Sequence, residues 1–142
     1  KADYWIFGGI FRPVRLEILP KSHIKRVAID ADAGGNFVSD VSLEAAGKGQ
    51  LIQVEIYDKD GKMVGSFDSG ITPGSGKIRI RGKLEDPQQW NPEFPHLYTA
   101  TFTLTDPAGG ALHRISEKTG FRTVEVRAQD DRHNSIILSA DV

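Results

Sequence analysis

The sequence predicts an all-β chain, an antiparallel β-sandwich of about seven to nine strands. Three observations carry that prediction. Apolar and polar residues alternate with period two through most of the 142 residues. Turn signals separate the alternating runs every 8–15 residues or so, and no stretch of useful length carries the 3.6-residue period of a helix.

Taken in order, residues 23–31 alternate so that Val27, Ile29 and Ala31 share one face, with Ile24, Arg26 and Ala28 on the other. Residues 37–45 turn Phe37, Val41, Leu43 and Ala45 inward and Asp40 and Ser42 outward. Residues 51–58 set Ile52, Val54 and Ile56 against Gln53 and Glu55. A polar turn containing Asp60-Gly61 follows, a short-range hairpin signal, and residues 63–67 return from it. Residues 70–76 form a Gly/Pro/Ser loop, after which 77–84 alternate strictly with Ile78, Ile80 and Leu84 inward. Strand 98–105, the turn 106–110, strand 111–118 and strand 121–127 close the set. The spacing fits the immunoglobulin-like or fibronectin-type sandwich, here without its Cys pair.

The stretch Trp90-Asn91-Pro92-Glu93-Phe94-Pro95-His96-Leu97-Tyr98 stands apart. Two prolines forbid a helix interior and remove two backbone donors, which also rules out a central strand. Four large apolar side chains are too many for an idle solvated loop. A rigid corner is expected, with Trp90, Phe94 and Tyr98 folded back onto the sandwich.

The composition excludes several functions. With a net charge of −1 from 18 basic and 19 acidic residues, there is no electrostatic case for nucleic acid or an anionic membrane surface. The absence of cysteine removes disulfides, thiolate metal sites and a Cys nucleophile. No apolar run approaches the roughly 18–20 residues of a membrane-spanning helix. The chain reads as structured protein from Asp3 onward, so it is expected to be a fragment, and the missing leader says nothing of a parent.

Candidate chemistry is sparse. His23, His96, His113 and His133 lie at irregular separations without metal-ligand spacing. Asp58-x-Asp60-Gly61 imitates the start of a calcium loop but lacks the acidic twelfth ligand and flanking helices, so a turn is expected. The carboxylates fall on outward strand positions and in turns, and no acid/base pair of the kind glycoside hydrolysis uses is expected. No catalytic and no metal-ligating residue is assigned, and no cofactor is expected in this chain.

Three segments together resemble glycoside hydrolase family 2, which includes the β-galactosidases, β-glucuronidases and β-mannosidases. The opening Asp3-Tyr4-Trp5-Ile6-Phe7-Gly8-Gly9-Ile10-Phe11-Arg12-Pro13-Val14 is similar to the end of the family's sugar-binding jelly-roll domain, with Trp5, Gly9 and Arg12 on the motif. Trp90, Pro92, Glu93, Pro95 and Tyr98 resemble the family's W-x-P-E-x-P-x-L-Y, and Gly120, Phe121 and Arg122 its G-F-R-x-[IV]-E-[IV]. The resemblance implies three parts: residues 1–19 as the end of the sugar-binding domain or an interdomain segment, 20–128 as the immunoglobulin-like sandwich, and 129–142 as a linker towards a catalytic barrel.

It also implies a retaining, β-galactosidase-like parent in carbohydrate metabolism, plausibly periplasmic or secreted. The catalytic Asn-Glu pair would lie on the barrel; Asn36, Asn91 and Asn134 are not followed by Glu. Asp3 is the one substrate-binding candidate, in the intact parent, where a sodium or magnesium ion is also implied. The expected partners are flanking domains of the parent chain, with carbohydrate bound through the parent alone. The competing reading is a stand-alone immunoglobulin-like module that binds carbohydrate or protein through Trp90 or Trp5.

Overall fold

The computed structural model describes residue 9, residues 12–130 and residues 133–139, with side chains described up to residue 125. Among the described residues nine strands run in order: β1 (His23–Ala31), β2 (Asn36–Glu44), β3 (Leu51–Tyr57), β4 (Met63–Gly70), β5 (Lys77–Lys83), β6 (Tyr98–Thr105), β7 (Ala111–Thr119), β8 (Thr123–Asp130) and β9 (His133–Ser139). One sheet has the order β1-β2-β5 and the other β4-β3-β6-β7, with every pairing antiparallel. This is the expected immunoglobulin-like sandwich, with β4 staying beside β3 instead of crossing to β5.

The inward residues of the two sheets make the core. Phe37, Val41, Leu43 and Ile80 come from the first sheet, and Ile52, Val54, Ile56, Ala100, Phe102 and Leu104 from the second. β6 lies between β3 and β7 and is the most enclosed strand, buried continuously from Phe102 to Thr105. Its threonines are accommodated by partners: Arg114 Nε donates to Thr103 Oγ1 at 3.1 Å, and Thr105 Oγ1 donates to the Leu51 carbonyl at 3.4 Å.

Three hairpins close by one device. Asp32, Asp58 and Asp106 each begin a four-residue turn whose last residue is a glycine with positive φ, at Gly35 (85°), Gly61 (79°) and Gly109 (88°). Each aspartate's carboxylate accepts the N–H of the residue four positions on, Asn36, Lys62 or Gly110. The carboxylate satisfies donors that the tight loop leaves without ladder partners, and glycine adopts the left-handed conformation without a Cβ clash.

Strict alternation fails at two positions, one placed on the outer face and one placed inward. Between Ile24 and Arg26 the β1–β2 register shifts, a bulge that brings Ile24 to the core face at 3% exposure although Arg26 and Ala28 remain outside. Ala45, expected inward, is exposed because its φ of 49° takes the chain out of the pleat one residue past β2.

The end of the chain also differs from a simple closing strand and linker. Phe121 is buried and forms a parallel bridge with Gln89, whereas β8 pairs with β9 in a separate two-stranded ladder. The register sets Val124 opposite Leu138 and Val126 opposite Ile136. Strand β9 occupies the stretch expected to be a linker, and residue 128 falls inside β8.

Candidate functional site

Two of the motifs singled out in the sequence, thirty residues apart, meet at one junction. On one side is the corner 90–98. Asn91 Oδ1 accepts the N–H groups of Glu93 and Phe94 at 3.0 and 2.6 Å, and Asn91 N–H donates to the Phe94 carbonyl at 3.2 Å. Pro92 sits inside this Asx turn, where its fixed φ suits the bend and its missing donor costs nothing. A bridge between Trp90 and Pro95 closes the corner.

On the other side, Gly120, Phe121 and Arg122 run from the end of β7 into β8. Trp90 N–H donates to the Phe121 carbonyl at 2.8 Å, and the Arg122 guanidinium lies 4.7 Å from the centroid of the Trp90 ring. That distance is a cation–π contact. Gly120 is required by contact, not by conformation: a Cβ there would stand 2.7 Å from Trp90 Cβ and 2.8 Å from Cγ.

Tyr98 opens β6 at 7% exposure, edge-to-face with Phe121 at 5.3 Å and 88°. Its hydroxyl accepts the Gln88 N–H at 2.9 Å, ten residues upstream. A tyrosine near the start of the sixth strand bonded back to the upstream backbone is similar to the tyrosine corner of immunoglobulin-like domains, with a longer reach along the chain. Arg122 N–H donates to the Ala31 carbonyl at 3.0 Å, and Ala33 N–H to Thr123 Oγ1 at 3.1 Å, which tie the β1–β2 turn into the same knot.

The structure therefore brings Trp90, Tyr98, Gly120, Phe121 and Arg122 together. Pro92, Glu93 and Pro95 lie exposed on the corner, as do Gly9 and Arg12 elsewhere. Asp3 and Trp5 lie outside the described residues. Phe94 does not fold back with the other aromatics: it is 64% exposed, because the Asx turn carries its backbone outward between the prolines. Gln88, Asn91 and Ala33 were not singled out in the sequence. Of these, Asn91 could have been, since Asn before Pro is a turn-initiating pair.

Beside the junction is a groove of about 680 Å³ with Asp30, Trp90, Leu97, Glu117, Arg122 and Val124 on its walls. Charges of both signs meet there, on an otherwise open surface.

Elsewhere Asp32, Asp40 and Asp58 are committed to structure. Asp58 Oδ1 accepts the Asp60 and Lys62 N–H groups at 2.9 Å each, so the calcium-like sequence is a hairpin turn. Asn36 donates to Asp32 and Arg79 to Asp40, and these bonds hold both carboxyls below the usual range. His23 and His113 do meet, with ring centroids 6.0 Å apart, and His113 Nδ1 accepts the Ile24 N–H at 3.2 Å. Among the described residues no group of three or more His, Cys, Asp or Glu is placed to hold a metal ion.

The family model for glycosyl hydrolases family 2 matches residues 22–122, which takes in the whole sandwich and the junction. The chain belongs to this family. As a family 2 chain it is 33% identical to a β-galactosidase of Thermoanaerobacter pseudethanolicus over 131 residues, 89% of this chain and 18% of that protein. It is 31% identical over 134 residues to a β-galactosidase large subunit of Leuconostoc lactis, covering 92% of this chain and 21% of that one. In fold it is similar to Bifidobacterium dentium β-glucuronidase complexed with coumarin-3-O-glucuronide, at a TM-score of 0.70 and 23% identity, over 83% of this chain and 20% of that chain. The chain thus spans about a fifth of the length of these relatives.

Proposed function

We propose that this chain is a non-catalytic, immunoglobulin-like scaffold domain of a longer family 2 glycosidase, related to β-galactosidases and β-glucuronidases. Its work is positional. It holds a sugar-binding domain on one side and a catalytic barrel on the other in a fixed relation, because small misplacements at a reacting centre are costly.

The observation that carries this reading is the junction. It clamps the corner 90–98 to the start of β8 by a backbone bond, a cation–π contact and an edge-to-face pair. Around it Phe94, Leu97 and Val124 remain 64%, 40% and 52% exposed, apolar ground suited to contact with a flanking domain. The acidic residues are consistent with the same reading, since Asp32, Asp58 and Asp106 are engaged by backbone N–H groups and Asp40 by Arg79. The sodium or magnesium ion implied for the parent finds no ligand cluster among the described residues.

The test is direct. The 142-residue chain, assayed on aryl β-galactosides and β-glucuronides, is expected to give no turnover above the uncatalysed rate. Saturable, steady hydrolysis would sink the scaffold reading. Titration with oligosaccharides under tryptophan fluorescence addresses the binding-module alternative. Arg122 already occupies a face of the Trp90 ring, so no saturable change is expected.

A further inference from the structure

The outward face of the three-stranded sheet gathers positive charge that neither the fold nor the scaffold role requires. Register lines up three rows across β1, β2 and β5: Arg26, Ser42 and Lys77; Ala28, Asp40 and Arg79; Asp30, Val38 and Arg81. Alternation along β5 continues the cations to Lys83 on the same side. Successive cations on β5 are set about 6.7 Å apart, and the three strands are spaced about 4.8 Å from one another.

Six cations, Lys25, Arg26, Lys77, Arg79, Arg81 and Lys83, thus share a face with three carboxylates, Asp30, Asp40 and Glu44. Glu44 pairs with Lys25 at 3.3 Å, and Asp32 lies near the Lys83 end. Asp40 is taken up by Arg79 in a two-point ion pair at 2.6 and 2.7 Å. A shallow groove of about 650 Å³ runs over the face between Arg26, Asp40, Lys77, Arg79 and Arg81. This lies in a chain whose net charge is −1. Protecting an edge strand from stray pairing needs charge of either sign, but β5 carries only one sign on this side.

The face also indicates what kind of partner it fits. It holds no aromatic residue and no large exposed aliphatic one. Protein interfaces concentrate their binding energy in buried aromatic and apolar anchors, and single-stranded nucleic acid needs rings to stack on. A row of cations on hydrated, apolar-poor ground suits a hydrated anionic chain. We propose that the outward face of β1-β2-β5 binds a linear anionic polysaccharide through its carboxylate or sulfate groups, with Lys77 and Arg81 as the main contacts. The choice of a saccharide polymer rests on the glycosidase reading of the parent.

Binding of the 142-residue chain to polygalacturonate, heparin, neutral dextran and duplex DNA, followed by affinity electrophoresis and calorimetry, tests the proposal. Polygalacturonate binding with heparin inert assigns the site to carboxylates, the converse assigns it to sulfates, and dextran is expected not to bind. Affinity is expected to fall by roughly tenfold or more between about 20 and 200 mM salt. K77Q/R81Q is expected to weaken binding by about tenfold or more, whereas K59Q/K62Q, on the distant β3–β4 turn, leaves it unchanged.

The proposal is overturned if neither anionic polysaccharide binds, if dextran binds equally, if K77Q/R81Q binds like the parent chain, or if DNA binds more tightly than either polysaccharide. Circular dichroism checks that the variant folds. If it does not, the salt dependence of the unaltered chain decides, and salt-insensitive binding counts against the proposal. Hydrolysis is not read in this experiment, so its outcome is separable from that of the scaffold assay.

Discussion

Ser39 sits in the middle of β2, fully enclosed, and its hydroxyl has no hydrogen-bond partner among the described residues. Strand alternation puts it on the same face as Phe37, Val41 and Leu43, where a hydroxyl is a cost. Ser39→Ala is therefore expected to stabilise the chain by about 1 kcal/mol, read as a higher urea midpoint with an unchanged slope. A lower midpoint would mean that the hydroxyl is satisfied in solution. Gly120 is the opposite case, since a single added methyl there meets Trp90. Gly120→Ala is expected to cost about 1–3 kcal/mol by overpacking, and less in a Trp90→Gly background, which removes the Cβ as well as the ring. Equal costs in the two backgrounds would refute the steric account.

At the scale of elements, the hairpins depend on their aspartates more than on exposed ion pairs. Asp106 Oδ1 accepts the N–H groups of Ala108 and Gly110 at 2.8 and 2.7 Å, and Gly109 supplies the positive φ. Asp106→Ala is expected to lower stability by about 1 kcal/mol, as loss of a cap does. Asp60, whose carboxylate meets only the solvated Lys59 ammonium, provides the comparison. Asp60→Ala is expected to change the thermal midpoint little. Much of this was legible in the sequence, because Asp and Gly at fixed offsets between alternating runs mark such turns. The bulge after Ile24 was not, since it is a property of the β1–β2 pairing and leaves no mark on the local alternation. The outward turn of Phe94 was not either: composition predicted burial, but the hydrogen bonds of Asn91 determine which way the corner faces.

For the whole molecule, the acidic side chains set the response to pH. Hydrogen bonds from Asn36 and Arg79 hold Asp32 and Asp40 below their ordinary value of 3.8 in the folded state. The unfolded chain therefore binds these protons first. Their stabilising contribution is complete above the unfolded value and is lost as the pH falls below about 4 through the lower, folded values. Urea midpoints measured between pH 6 and 2 are expected to decline most steeply at the acid end. Asp32→Asn is expected to flatten that decline, and an unchanged slope would contradict the assignment.

By itself the sequence determined the strands of the sandwich, most of their inward faces, the turns between them and the motifs that mark a family 2 chain. Each of these is a local property, because a period of two, an Asp-x-x-Gly turn or a proline-fixed corner acts within a few residues. Only the tertiary structure decided that Trp90 meets Arg122, that β8 pairs with β9 apart from the sandwich, and that Arg26 and Lys77 share one cationic face. The first and the last of those relations join residues tens of positions apart. They follow from sheet order and register, and alternation along a single strand does not specify either.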